Sequence, residues 1–149
     1  MCLYTTQSSD LIVDLAGFAP SGSTFVPANP ERVLDTRPDS KVSYSGLKPT
    51  SGQTIELKVT GFGTTKIPND AGTVVLNLTS TASDSNGFAT VYPCGSPRPN
   101  ASNLNYSGVD TANMVMAKIG EGGRVCIYTF GSTHLVADIN GYFADTLLG

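Results

Sequence analysis

From Thr54 to Val59 the chain places Ile55, Leu57 and Val59 on one side and Glu56 and Lys58 on the other. A period-two alternation of this kind predicts a strand with one buried and one wet face. Thr73–Thr79 is apolar on both faces except at Asn77, the pattern of a central strand. Ser83-Asp-Ser-Asn-Gly87 is a strong turn signal leading into Phe88–Cys94, so residues 73–93 read as a hairpin. Asn103–Tyr106 and Ala112–Ile119 are further strands, and 124–130 with 134–143 read as a closing hairpin. Arg32–Arg37 is a short strand that Pro38 stops. At the front, residues 2–6 and 10–18 read as one more hairpin turning at Gln7-Ser8-Ser9. Strands joined by Gly, Pro and Asn turns, with no credible helix, predict an all-β fold. The expected form is a Greek-key or jelly-roll-like β-sandwich of about eight strands, plus the extra N-terminal hairpin.

The closing stretch occurs twice. Residues 2–18 align without gaps onto 126–142, with 7 of 17 positions identical: Cys2, Tyr4, Thr5, Ser8, Leu11, Asp14 and Gly17. Chance would give roughly one identity, so this is an internal repeat with the period of a whole domain. The expected organisation is a closing hairpin of a preceding module over 1–18 and a Pro-rich linker over 19–31. A complete sandwich module follows over 25–149, with Phe25-Val26 as its first anchor.

Composition narrows the class. Only 14% of residues are charged, with 16 Gly and 9 Pro, and net charge is −3 with a pI near 4.9. Such a surface offers nothing to a phosphate backbone, which argues against nucleic acid as a partner. No apolar run reaches the ~20 residues of a spanning helix, so membrane insertion is not expected. No leader is legible ahead of the repeat.

Three cysteines carry a prediction. Cys2 and Cys126 are equivalent in the repeat and so are poor partners for each other, whereas Cys94 has no earlier counterpart. A Cys94–Cys126 disulfide is expected, leaving Cys2 alone, with three free thiols as the alternative. A structural disulfide implies an oxidising, extracellular setting. The spacing fits no zinc pattern, and no cofactor is expected.

Six short motifs appear in one order: Arg32-Val-Leu-Asp-Thr-Arg37, Val75-Leu-Asn-Leu-Thr79, Gly87–Gly95, Ser102-Asn-Leu-Asn-Tyr106, Ala112-Asn113 and Asp138-Ile-Asn-Gly-Tyr-Phe143. This set resembles a β-rich module repeated, singly and in tandem, in large exported and cell-surface proteins of actinobacteria and other bacteria. The resemblance covers roughly residues 25–144, and 2–18 matches the end of one more copy. It implies an extracellular location and a structural, adhesive or accessory role, and brings no activity to any particular residue.

Candidate chemistry is sparse. His134 is the only histidine, and Asp138 on the same strand face is roughly 13 Å away at strand rise, beyond hydrogen-bond reach. The repeat has Asp10 in its place, which argues against catalysis. Asp138 and Asp14 are carboxylates kept between apolar residues in both copies. The expectation is that Asp138 or Asp35 pairs with Arg37 or Arg124 in or at the rim of the sandwich. Asp84-Ser-Asn86-Gly87 has too few oxygen ligands for a calcium loop. Asn77, Asn100 and Asn105 begin formal glycosylation sequons. Tyr92, Tyr106, Tyr128 and Tyr142 could stack on a sugar, although Tyr92 and Tyr128 fall on predicted core strands.

The function expected is a non-enzymatic extracellular module of a stalk, fibre or surface array. Its partners would be neighbouring copies, met head to tail through Cys2, Leu11, Val13 and Leu15 of the extra hairpin. The alternative is a module binding cell-surface glycans.

Overall fold

A computed structural model describes residues 2–8 and 19–144. Eight strands follow one another: β1 (Phe25–Asp35), β2 (Thr54–Lys58), β3 (Ala71–Thr81), β4 (Asn86–Pro93), β5 (Leu104–Ser107), β6 (Thr111–Lys118), β7 (Arg124–Phe130) and β8 (His134–Ala144). They form two antiparallel four-stranded sheets of order β1-β8-β3-β6 and β2-β7-β4-β5. The alternation read along β2 is observed: Ile55 and Leu57 are buried, Glu56 and Lys58 exposed. In β3, Val74, Leu76 and Leu78 point into the core between the sheets, facing Leu57, Ile127 and their neighbours.

The fold class stands, but its winding differs from the hairpins that the turns suggested. β3 and β4 lie in different sheets, and so do β7 and β8. Neither 73–93 nor 124–143 is therefore a hairpin. Among successive strands only β4 and β5 are hydrogen-bonded neighbours. This is a jelly-roll winding, in which the chain crosses the sandwich at nearly every turn. Turn residues reverse the chain without choosing the partner. A strand with an apolar inner face is satisfied equally by a neighbour beside it or a sheet opposite.

Two of these crossings are tied together. The Asp84 N–H donates to the Ser132 carbonyl at 3.0 Å, joining the β3–β4 arch to the β7–β8 arch. Behind them the buried hydroxyls of Ser80 and Thr133 bond at 2.7 Å. Gly131 makes the second arch with φ +94°, and a Cβ there would press on the backbone of Asn86 and Gly87.

The N-terminal reading changes in two places. Residues 25–31 belong to β1 and are not linker. β1 is an edge strand, where Pro27 and Pro30 lack N–H groups that a central strand would need, and the register shifts between Pro27 and Glu31. Residues 2–6, expected as a strand, form none. The other expected arm, with Leu11, Val13, Asp14 and Leu15, lies outside the described residues.

β5 is locked to the rest by Tyr106, whose Cα lies opposite Gly87. Its buried ring covers that glycine, and a Cβ on Gly87 would collide with the ring and the Phe130 carbonyl. The phenol donates between the carbonyls of Gly131 at 2.9 Å and Phe130 at 3.0 Å, and burial pushes its pKa up to about 12. Tyr106→Phe keeps the ring and loses the hydroxyl, so urea titration should show a loss of roughly 1 kcal/mol. An unchanged midpoint would mean that the hydroxyl bonds add nothing.

Candidate functional site

Cys94 and Cys126 form a disulfide with Cα atoms 5.1 Å apart. Cys126 is opposite Glu56 and Tyr92, so the bridge lies on the outer face of β2-β7-β4-β5 and fastens the end of β4 to β7. By loop closure it contributes roughly 2–4 kcal/mol. Cys2 is a free, exposed thiol. No helix among the described residues is long and apolar enough to cross a membrane.

The Arg32–Arg37 stretch folds into an ion network on the outer face of the other sheet. Asp35 is fully buried, and Arg37 forks onto it with Nε–Oδ1 at 3.0 Å and Nη2–Oδ2 at 2.7 Å. Asp138 pairs with neither Arg37 nor Arg124: it receives Nε of Arg32 at 2.9 Å. Arg32 also reaches Asp35 at 3.4 Å, while Arg124 reaches Glu56 at 3.6 Å. The partner missed in the sequence is Arg32, which faces Asp138 only because β1 and β8 pair in that register. Burial alone would raise the pKa of Asp35. The hydrogen bonds and charges of Arg37, then the charge of Arg32, overcome it and leave the carboxyl below its usual range. The arrangement is an alternating chain of two guanidinium and two carboxylate groups. It binds β1 to β8 and offers no free acid or base.

Glu31, from the same strand, accepts the N–H groups of Thr64 at 2.7 Å and Thr65 at 2.8 Å. These backbone bonds hold its pKa down at about 2 and pin the loop between β2 and β3.

His134 stands beside Thr36, Nδ1 to Oγ1 at 3.1 Å, and the same Oγ1 accepts the Leu135 N–H at 2.9 Å. The hydroxyl can therefore donate to a neutral ring, the form that burial favours. Desolvation first, and the charge of Lys48 second, lower the imidazole pKa. Thr36 is 1% exposed, so its oxygen is closed to a substrate. The only histidine is a fixture of the β1–β8 corner. Asp84, the turn residue weighed as a calcium ligand, is engaged by Lys48 Nζ at 2.6 Å.

One surface with binding character among the described residues is the outer face of β2-β7-β4-β5. Phe88 stacks on Phe130 with centroids 5.4 Å apart and meets Tyr128 at 6.1 Å. The Arg98 guanidinium lies 4.1 Å above the Tyr128 ring, and Phe130 is 52% exposed. Beside Phe88 is a hollow of about 220 Å³ lined by Asn100, Ala101, Ser102 and Asn105. The four tyrosines do not form one platform. Tyr92 and Tyr128 project outward from this sheet, Tyr106 is buried, and Tyr142 packs on the core from the other sheet. The phenylalanines make the strip, and their signal was period-two spacing against buried Ala89 and Thr129.

Arg37→Met should lower unfolding stability by roughly 3 kcal/mol in a urea titration, since it strands a buried carboxylate that keeps only Arg32. An unchanged midpoint would remove the ion pair as a stabilising element. Glu31 gives a pH signature. Its folded pKa of about 2 lies below its ordinary 4.5, so its contribution is complete above 4.5 and is lost as pH falls towards 2. Glu31→Gln should flatten the acid limb of a pH–stability curve over that window, and an unaltered limb would contradict the assignment. A scan against protein-family models and a search of curated proteins return no match.

Proposed function

We propose that this chain is a non-enzymatic extracellular structural module, made to recur in a stalk, fibre or surface array and to meet its neighbours head to tail. The observation that carries this reading is the repeat. Residues 2–18 match 126–142, and 126–142 are most of β7 and β8, the strands that complete a sandwich. The chain thus carries the finishing strands of one sandwich ahead of a whole one. The Cys94–Cys126 bridge supports an oxidising, extracellular setting, and the resemblance to modules of exported bacterial proteins points the same way. The mechanism is mechanical. A sandwich with few charges, a staple between two strands and an ion network between two others opposes unfolding and proteolysis.

A second reading is favoured by the aromatic strip. Phe88, Tyr128 and Phe130, with the amides and hydroxyl of Asn100, Asn105 and Ser102 beside them, have the mixture of ring faces and polar groups that suits a glycan. The two readings separate by experiment. The array predicts linear assemblies that lengthen with concentration in sedimentation and negative-stain microscopy, indifferent to Phe130→Ala. A monomer at every concentration that binds a glycan array, and loses that binding in Phe130→Ala, would replace the array with the glycan reading.

A further inference from the structure

Residues 2–6 form no strand, yet they carry the side chains of one. Leu3 is 58% and Tyr4 88% exposed. In the aligned strand, Ile127 is fully buried in the core and Thr129 is fully buried with its Oγ1 donating to the Thr50 carbonyl at 3.0 Å. Tyr128 lies under Arg98, and Cys126 is bonded to Cys94. The N-terminal segment keeps the cysteine, the tyrosine and the threonine, and replaces Ile127 by the aliphatic Leu3. It departs where β7 ends: Thr6 stands for the exposed Phe130 and Gln7 for Gly131, whose φ of +94° disfavours a side chain. The likeness therefore covers the strand, breaks at the arch and resumes at Ser8.

β7 occupies a slot with a ladder on each side. It pairs with β2 from Thr54–Tyr128 to Lys58–Arg124 and with β4 from Phe88–Phe130 to Pro93–Val125. A strand entering that slot gains main-chain bonds on both edges, a core position for its second residue and Cys94 for its first.

We propose that residues 2–6 are a donor strand that fills, in another copy of this module, the slot between β2 and β4 that β7 holds here. The proposal rests on the array reading and gives it a contact. Leu3 takes the place of Ile127, Tyr4 that of Tyr128, Thr5 that of Thr129, and Cys2 joins Cys94. That last step forms one S–S bond from two thiols. With oxidised glutathione as oxidant, both thiol protons and the two electrons pass to it and two reduced glutathiones leave. In an intact copy the tethered β7 competes with the donor, so donation is the minor outcome in the wild-type chain, grows with concentration and is greatest when β7 is weakened.

The test uses the full chain carrying Cys126→Ser and Ile127→Asp, which removes the native disulfide partner and puts a carboxylate where β7 needs an aliphatic. Refolded with reduced and oxidised glutathione, it should give Cys2–Cys94 as the dominant cross-link by peptide mass spectrometry, in multimers with recovered β-sheet circular dichroism. Adding Leu3→Asp should lower that cross-link by about tenfold or more. A statistical mixture with Cys2–Cys2 and Cys94–Cys94, or a Cys2–Cys94 yield indifferent to Leu3→Asp, would overturn the donor strand. So would an unfolded chain with no cross-link. The wild-type chain, refolded from denaturant in the same buffer, should show an intermolecular Cys2–Cys94 fraction that grows with concentration, and none at any concentration would also overturn it. Linear wild-type assemblies whose Cys2 stays reactive to a thiol label would sink the donor strand and leave the array. The Cys2–Cys94 cross-link in the variant, together with a wild type that stays monomeric on native mixing, would sink the array and leave the slot.

Discussion

The sandwich is completed from its middle. β7 sits between β2 and β4, and β8 between β1 and β3, so the last strands of the chain are the inner strands of both sheets. Until they enter, β2 has no sheet partner but the gap, and β1 is joined to nothing else in its layer. Most of the stabilising devices found here act across that insertion. The disulfide joins β4 to β7, the Arg–Asp network joins β1 to β8, and Ser80, Thr133 and Tyr106 hold the arch between the two late strands. A fold made this way depends on contacts distant in sequence, which favours slow, cooperative formation over piecemeal assembly.

The same constraint gives the internal repeat its meaning. A duplicated hairpin would be a small self-contained element. A duplicated β7–β8 stretch is not self-contained, because its two strands belong to different sheets and each needs neighbours on both sides. That accounts for residues 2–6 having the residues of a strand without forming one. Under the donor-strand proposal, the free Cys2 is half of a bridge whose other half is a Cys94.

Most strand positions were legible in the sequence, and so was the inner face of β2, because alternation reports burial directly, as in Ile55 and Leu57. The disulfide was legible because the repeat ruled out one pairing. Strand neighbours were not. The Ser83–Gly87 and Gly131–Thr133 turns mark reversals, but whether a reversal stays in its sheet or crosses to the other is decided by the whole set of partners. For that reason Arg32 could not be matched to Asp138, and the Arg–Asp expectation was right for Asp35 with Arg37 and misplaced for Asp138. Prolines misled at β1, since Pro27 and Pro30 read as linker and are tolerated by an edge. The aromatic strip escaped notice because Phe88 and Phe130 come together only through the β4–β7 register.

The account holds that β7 and β8 are central, late and shared by the stability of both layers. Native-state hydrogen exchange on the wild-type chain tests this most directly. The amides of residues 125–129 and 135–139 should be among the slowest to exchange and should share one opening free energy equal to that of global unfolding. If those amides instead exchanged through a separate, lower-energy opening while β1 to β6 stayed protected, the two strands would be an appendage to a sandwich stable without them. The claim that they complete the fold would then be wrong.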